Sequence, residues 1–403
     1  MAASPASVPL SFSGDSLGPF FEDHHRALAA RLQKDLPPGR KGLEHDALTA
    51  AREMGAHGPD SLSLYPYLVP EKHGGAAVGK SADDRYVDVR SLVLVREGLA
   101  QVSPMADSIF AVQGLGSWPV SAFGSAPQRS SLLAKVVRGE SIGAFALTEP
   151  EAGTDVASLR TTARREGDDW VIDGEKHLIS NVGIAHHYVV FANADPSAGK
   201  KGITAFLVDA HAAGITAEPM ALSSPHPLGR LRFSGCRVPD SARVGELGQG
   251  FTIAMETLDA FRISVGAAAN GMAARALALA IAHVKSRNQF GSPLADQQQV
   301  QAYLADMATE LEAARLLVVR AAYLRDRGSA RVTSEAAMAK MFATESAQRI
   351  IDRAVQLHGG IGVLLGSEVE ALYRDIRPLR IYEGTTEIQR VVIARGLLKG
   401  GAK

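Results

Sequence analysis

Two carboxylates, two hydroxyls and a glycine occupy consecutive positions close to the C-terminal end: Glu383-Gly384-Thr385-Thr386-Glu387, within Arg380-Ile381-Tyr382-Glu383-Gly384-Thr385-Thr386-Glu387-Ile388-Gln389-Arg390. Gly384 allows a sharp turn, and Thr385 or Thr386 can cap the helix suggested by Val391-Val392-Ile393-Ala394. Glu383 then stands at the mouth of a turn held by a rigid element, a suitable place for a general base. A capped helix with solvated acids would use the same residues.

Two other stretches carry ligand chemistry. Phe145-Ala146-Leu147-Thr148-Glu149-Pro150-Glu151-Ala152-Gly153-Thr154-Asp155 reads as a strand ending at Pro150. Backbone N–H groups and hydroxyls are left in the following loop, where they suit a flat heteroaromatic ring with polar edges or simply close a turn. Arg287-Asn288-Gln289-Phe290-Gly291-Ser292-Pro293-Leu294 is a basic, polar turn between helices, and its arginine can fork onto a pyrophosphate. Other chemistries are excluded. There is no Walker A loop and no His-Glu-x-x-His, and the runs at Gly114 and Gly360 fail Gly-x-Gly-x-x-Gly at the last position. A nucleotide cofactor must therefore be held without a Rossmann turn.

The elements that position these groups follow from patterning. With 403 residues the chain is too long for one ordinary core. Residues 15 to about 137 read as helical. Phe20, Phe21, His24, Leu28 and Leu32 recur at helical spacing up to Pro37-Pro38-Gly39, and further helices are expected at 44–54, 86–101 and 129–137. From Ser141 short β runs follow: Trp170-Val171-Ile172, 187–192, 203–208, 231–233 and 237–239. From Gly248 helices return, with Val300, Leu304, Met307, Leu311, Ala314 and Val318 along one face. The expected class is α+β multidomain: an N-terminal helical domain over 1–137, a small β-barrel or sandwich over 138–245, and a C-terminal four-helix bundle over 246–403.

Lys+Arg and Asp+Glu both number 43, so no net field attracts nucleic acid or an anionic membrane. The single cysteine, Cys236, excludes an intramolecular disulfide and a multi-cysteine metal site, and no metal is expected. It is read as a small buried residue just after a strand. No run offers about 20 uninterrupted apolar residues. Met1 to Gly14 lacks the features of a signal or transit peptide and is read as a flexible lead-in to a cytoplasmic protein.

Ile381-Tyr382-Glu383-Gly384-Thr385 resembles the C-terminal signature of the acyl-CoA dehydrogenase family, and the similarity runs from roughly Leu64 to Leu398. The resemblance implies an acyl-CoA dehydrogenase-like fold, FAD as cofactor and Glu383 as base. The 145–155 stretch resembles the family's first flavin motif, implying that Phe145, Leu147 and Thr148 surround the isoalloxazine and that Thr154 touches flavin or the pantetheine-phosphate arm. Lys176-His177-Leu178-Ile179-Ser180-Asn181 resembles the second. There the family usually has an aromatic residue where Leu178 stands, and often threonine where Ser180 stands. Ser180 keeps a hydroxyl for the flavin edge, whereas Leu178 gives up ring stacking.

By the same resemblance, Arg287, Gln289 and Phe290 bind the FAD of a neighbouring subunit. Gln356, Gly359 and Gly360 form its partner loop, and Thr385 and Glu387 contact the adenosine half. A homotetramer, or a dimer, is implied. Asp259, Arg262, Tyr382 and Gly384 line the substrate. Phe261 stands where some members place their base, which leaves that task to Glu383. Ser223 to Arg230 departs most from the family pattern.

The implied reaction is α,β-dehydrogenation of an acyl-CoA thioester, with Glu383 taking the α-proton as a hydride leaves the β-carbon for flavin N5. The thioester carbonyl is polarised by the Glu383 N–H and a ribityl hydroxyl, and electrons pass to an electron-transferring flavoprotein. The rival readings are an acyl-CoA oxidase, which Leu178 keeps open, an enoyl-CoA-reducing member, flavin monooxygenases and nitroalkane oxidases of the same fold, and a non-enzymatic assembly protein. The acyl chain is not legible.

Overall fold

The computed structural model describes residues 11–36, 43, 46–57, 61–77, 83, 85–328 and 332–399. The chain forms two compact units, each assembled from separated stretches. One comprises Met1–Glu44, Val89–Asp107 and Arg262–Lys403, the other His45–Asp88 and Ser108–Phe261. The expected order of helices, then strands, then helices is present.

In the first unit, α1 (Asp23–Asp35) is followed by α3 (Val89–Val102) and then by the C-terminal helices. These are α6 (Gly250–Ser286, in this unit from Arg262), α7 (Gln298–Asp326), α8 (Thr333–His358), α9 (Glu368–Asp375) and α10 (Thr386–Leu398). The α7 face is buried at Met307, Leu311, Ala314 and Val318, while Val300 and Leu304 are only partly covered. Close helix approach depends on Gly266. A Cβ there would lie 2.7 Å from Val318 and 3.4 Å from the Ala339 carbonyl, so α6, α7 and α8 meet where a side chain is missing. The most apolar window of α6 passes for a membrane span by length and composition, but 78% of it is buried in the protein as core packing.

In the second unit, α2 (Ala47–Glu53), α4 (Pro104–Phe123, in this unit from Ser108) and α5 (Ala126–Arg138) accompany one eight-stranded sheet. The strands are β1 (Gly143–Ala146), β2 (Thr162–Glu166), β3 (Asp169–Ser180), β4 (His187–Asn193), β5 (Ile203–Asp209), β6 (Ile215–Pro219), β7 (Leu228–Pro239) and β8 (Arg243–Val244). They run β6-β7-β3-β2-β4-β5-β8, and β1 joins β4 in parallel. Trp170, Ile172, Tyr188, Val190, Phe206 and Leu231 share its core.

Four expectations are corrected. α4 lies within the stretch read as helical but was not singled out as a helix, and the run at Gly114 was weighed only as a failed glycine motif. Gly114, Gly116 and Pro119 sit inside it, and Gly114 gives way to Phe261, whose ring would lie 2.4 Å from an added Cβ. The runs at 231–233 and 237–239 are one strand, β7, so Cys236 lies within it opposite Ile172 and is fully buried. The chain is already tied down at Ser11, which exchanges hydrogen bonds with Gln101 at 3.0 and 2.8 Å, and Phe12 is fully buried. The second helix runs from Ala47, capped by Asp46, and the third from Val89. The expected start at Glu44, the stop at Pro37-Pro38-Gly39 and the lead-in up to Leu10 lie outside the described residues.

Candidate active site

The turn before α10 is held by its backbone. Glu383 has φ 53° and Gly384 φ 88°, and left-handed geometry is costly for a glutamate. Three side chains clamp the two carbonyls. Lys340 Nζ donates to the Gly384 oxygen at 2.8 Å. Gln389 Nε2 donates to the same oxygen at 2.9 Å and to the Glu383 oxygen at 3.2 Å. Arg262 Nε also donates to the Glu383 oxygen, at 3.3 Å. Lys340 and Gln389 are fully buried. Thr385 caps α10 through Ile388 N–H, and Glu345 accepts from Arg380 and Thr386 on either side of the turn. With its backbone fixed, the Glu383 side chain has no freedom except rotation about its own bonds.

The Glu383 residue is half-buried, and its Oε2 is buried without a hydrogen-bond partner. Burial pushes its pKa above the ordinary 4.5, opposed by the charges of Arg96, Arg262 and Lys340 and reinforced by Asp107. Such a carboxylate is poorly solvated and more basic than usual, the state a proton acceptor needs. Lys340 is lowered to about 8 by burial, against the pull of Glu383.

Arg96 and Asp107 were missed in the sequence. Arg96, 1% exposed on α3, holds both Asp107 oxygens at 2.8 Å and donates to Ser264 Oγ at 3.0 Å. Burial pushes the Tyr382 phenol upward, opposed by the Arg96 charge. The available signal was a charge inside the apolar run Val89-to-Val102. Lys340, inside an Ala-rich helix, gave the same kind of signal.

The other predicted residues of this unit form a second group. Asn288–Gln289 (β9) and Ser292–Pro293 (β10) make a hairpin whose two turn residues, Phe290 and Gly291, have φ 52° and 85°. Such turns favour Asn-Gly, so a phenylalanine there is strained, and its ring is 99% exposed. Gln356 is exposed, and a Cβ added at Gly359 or Gly360 would meet nothing within 4 Å. The expected partner loop is instead the last turn of α8, which carries Gln356, followed by a 3-10 turn over Gly359–Val363. The stacked rings of His283 and His358, 4.3 Å apart, join that turn of α8 to the end of α6 just before Arg287. Glu387 is exposed in the first turn of α10.

The second unit gathers Phe145, Leu147, Thr148, Leu178 and Ser180. The β3–β7 register slips between Lys176 and Ile179. This bulge turns Leu178 outward, at φ 57° and 50% exposed. The 147–152 loop is pinned to β3 by His177 N–H on the Thr148 oxygen at 2.9 Å. Lys176 Nζ adds bonds to the Leu147 oxygen at 3.1 Å and to Glu149 Oε1 at 2.7 Å. Phe145 meets Phe191 edge-on at 4.9 Å. His177 Nδ1 and Asn181 Oδ1 are buried without partners. A half-exposed apolar side chain among hydroxyls and unsatisfied polar atoms fits a planar ring with polar edges. Thr154 is exposed on the loop, Asp259 is half-buried on α6, and Phe261 is buried.

Residues 22–140 match the N-terminal domain of acyl-CoA dehydrogenases, 144–236 the middle domain and 248–398 the C-terminal domain. The chain belongs to the acyl-CoA dehydrogenase family. It is therefore a flavoprotein oxidoreductase of the acyl-CoA class. This family member is 40% identical to the 3-(aryl)acrylate reductase of Clostridium sporogenes over 82% of its own length and 86% of the relative's. It is 39% identical to the mitochondrial short-chain specific acyl-CoA dehydrogenase of Mus musculus, over 91% and 87%. Butyryl-CoA dehydrogenase from Megasphaera elsdenii superposes with a TM-score of 0.85 at 34% identity, covering 94% of this chain and 99% of that one. FAD binding goes with the family.

Proposed function

We propose that the protein oxidises an acyl-CoA thioester to its 2-enoyl-CoA, with Glu383 as the base that removes the α-proton. The observation that carries this reading is the unpartnered, enclosed Glu383 Oε2 on a backbone clamped by Arg262, Lys340 and Gln389. Desolvation makes the carboxylate a better base, while the charges of Arg96, Arg262 and Lys340 oppose that rise. The Glu383 N–H is the donor for the thioester oxygen, so the clamp orients both the proton acceptor and the group that stabilises the enolate. Arg262, Asp259, Tyr382 and Gly384 line the substrate.

Phe145, Leu147, Thr148, Leu178 and Ser180 hold the flavin ring, with the Thr148 and Ser180 hydroxyls at its polar edge and Leu178 as an apolar wall. Thr154 reaches flavin or the pantetheine-phosphate arm. FAD, when bound, accepts the hydride from the β-carbon. Arg287, Gln289 and Phe290, with Gln356, Gly359 and Gly360, take the diphosphate half, and Thr385 and Glu387 the adenosine half. The exposed Phe290 ring and the exposed run Ile361, Val363, Leu364 and Leu365 support a homo-oligomer in which another copy covers them. An electron-transferring flavoprotein is the proposed acceptor.

The test is anaerobic mixing of the yellow holoenzyme with straight, branched, alicyclic and aromatic acyl-CoAs. Bleaching by at least one, with slow reoxidation in air, is expected. Fast reoxidation would make the protein an oxidase, and a flavin untouched by every thioester would end the reading.

Two variants probe its parts. Lys340→Met removes one of the two donors to the Gly384 oxygen and is expected to slow bleaching about tenfold, about 1.4 kcal/mol in barrier. Substrate affinity should change little, because Lys340 touches the turn and not the acyl chain. An unchanged rate would remove Lys340 from the clamp's function. Arg287→Ala loses a charge-assisted bond of about 1.5–3 kcal/mol. FAD dissociation should strengthen about 10–100-fold, measured as flavin per chain after dialysis. Full retention would remove Arg287 from the cofactor site.

A further inference from the structure

The segment Ser223 to Arg230 runs from the β6–β7 connection into the first residues of β7, and it carries His226. His226 Nε2 lies 3.2 Å from Ser180 Oγ, and its Nδ1 lies 3.2 Å from the Ser224 carbonyl oxygen. The carbonyl can only accept, so Nδ1 carries the hydrogen and Nε2 of the neutral ring is bare. Ser180 must then donate its one hydrogen to His226. Burial keeps the ring neutral by holding its pKa below the ordinary 6.5, with the Ser224 carbonyl opposing. Of the charged groups on the strands around it, Glu175 on β3, Glu218 on β6, and Arg230 and Arg232 on β7 are ion-paired with one another. Lys176 on β3 pairs with Glu149, and Arg237 on β7 pairs with Glu166 and Asp169. None of them is a cause of the His226 shift.

We infer that His226 is a positioning residue that fixes the direction of the Ser180 hydroxyl, so that Ser180 meets the flavin edge as a hydrogen-bond acceptor. The inference rests on the proposed placement of Ser180 at that edge. Reduced flavin carries an N–H on its hydride-receiving edge where oxidised flavin has a bare nitrogen. An acceptor there matches the reduced form and repels the lone pair of the oxidised form. His226 therefore favours flavin in the state that follows hydride gain. Protonating His226 reverses the arrangement: Nε2 then donates to Ser180, which turns its own hydrogen outward.

The test is the midpoint potential of the bound flavin in the holoenzyme at pH 7.5, a quantity that a purely structural role would not move in a directed way. His226→Phe frees the hydroxyl to donate. It should lower the reduced-to-oxidised ratio at fixed potential about tenfold, a fall of about 30 mV for a two-electron couple. His226→Gln keeps an acceptor oxygen near the Nε2 position and should restore most of the wild-type potential. In a Ser180→Ala background, His226→Phe should have no further effect, because the two act through one bond.

A potential unchanged by His226→Phe but shifted by Ser180→Ala would overturn the role of His226 while leaving Ser180 at the flavin. No shift with Ser180→Ala would remove Ser180 from the flavin, and this inference with it. Should the phenylalanine variant fail to fold, ring 15N shifts of His226 in the wild type decide the matter. Protonation at Nδ1 at pH 7.5 is expected, and protonation at Nε2 would overturn the assignment.

Discussion

Glu383→Gln should purify folded and yellow, yet its flavin should bleach with acyl-CoA about 10²–10⁴-fold more slowly than wild type. The amide keeps the shape of the side chain and leaves the backbone clamp untouched, since Arg262, Lys340 and Gln389 bind carbonyls and not the carboxylate. Only proton acceptance is lost. The stability change has a definite sign. The Glu383 pKa is raised on folding, so between 4.5 and its folded value the native state binds more protons than the unfolded chain. Wild-type stability therefore falls as pH rises through that window, and a neutral amide escapes the loss. At pH 7 the variant should melt no lower than wild type, in contrast to a variant slowed by misfolding. In the wild type the bleaching rate should rise with pH through the same raised pKa. Near-normal bleaching by Glu383→Gln would place the base elsewhere.

Much of this site is legible in the sequence because its pieces are local. A turn, a cap and an acid within a few residues at 383–387 name the base, and the folded chain has Gly384 at φ 88° and Thr385 as the cap. The bulge at Leu178 is not local. A strand pattern can show Leu178 as apolar, but whether it points into the sheet depends on its register with β7, which slips between Lys176 and Ile179. α4 falls in the stretch read as helical, but its bounds were not read, and Gly114 and Pro119 are poor helix formers by propensity. Their presence in a helix is explained only by the Phe261 ring packed against Gly114, many residues away. Ser180 was read as a flavin-edge hydroxyl, but its partner lies 46 positions on, in the connection between β6 and β7. Function that rests on one short stretch is readable; function that rests on which donor faces which acceptor across the fold is not.

The Arg96–Asp107 pair yields the second large effect, on stability more than on chemistry. Both side chains are almost fully buried, at 1% exposure each, and they share two hydrogen bonds of 2.8 Å. Removing one partner strands the other charge in the interior, which costs about 3–5 kcal/mol. Arg96→Met should accordingly unfold at clearly lower urea, and Asp107→Leu should as well. Replacing both by apolar groups removes the stranded charge, so Arg96→Met with Asp107→Leu should recover most of the lost stability. The double variant then isolates the pair's effect on the base. Arg96 is the largest of the influences that lower the Glu383 pKa, and Asp107 raises it by less. Deleting both should move the Glu383 pKa further up, and the rising limb of the bleaching rate should shift to higher pH. The Ser264 hydroxyl loses the same donor and the Tyr382 phenol a nearby charge, so substrate affinity is measured alongside. A double variant no more stable than Arg96→Met alone would mean that the guanidinium stabilises the fold through Ser264 and Tyr382 and not through Asp107. An unmoved pH profile would mean that the pair is structural and leaves the basicity of Glu383 to Arg262 and Lys340.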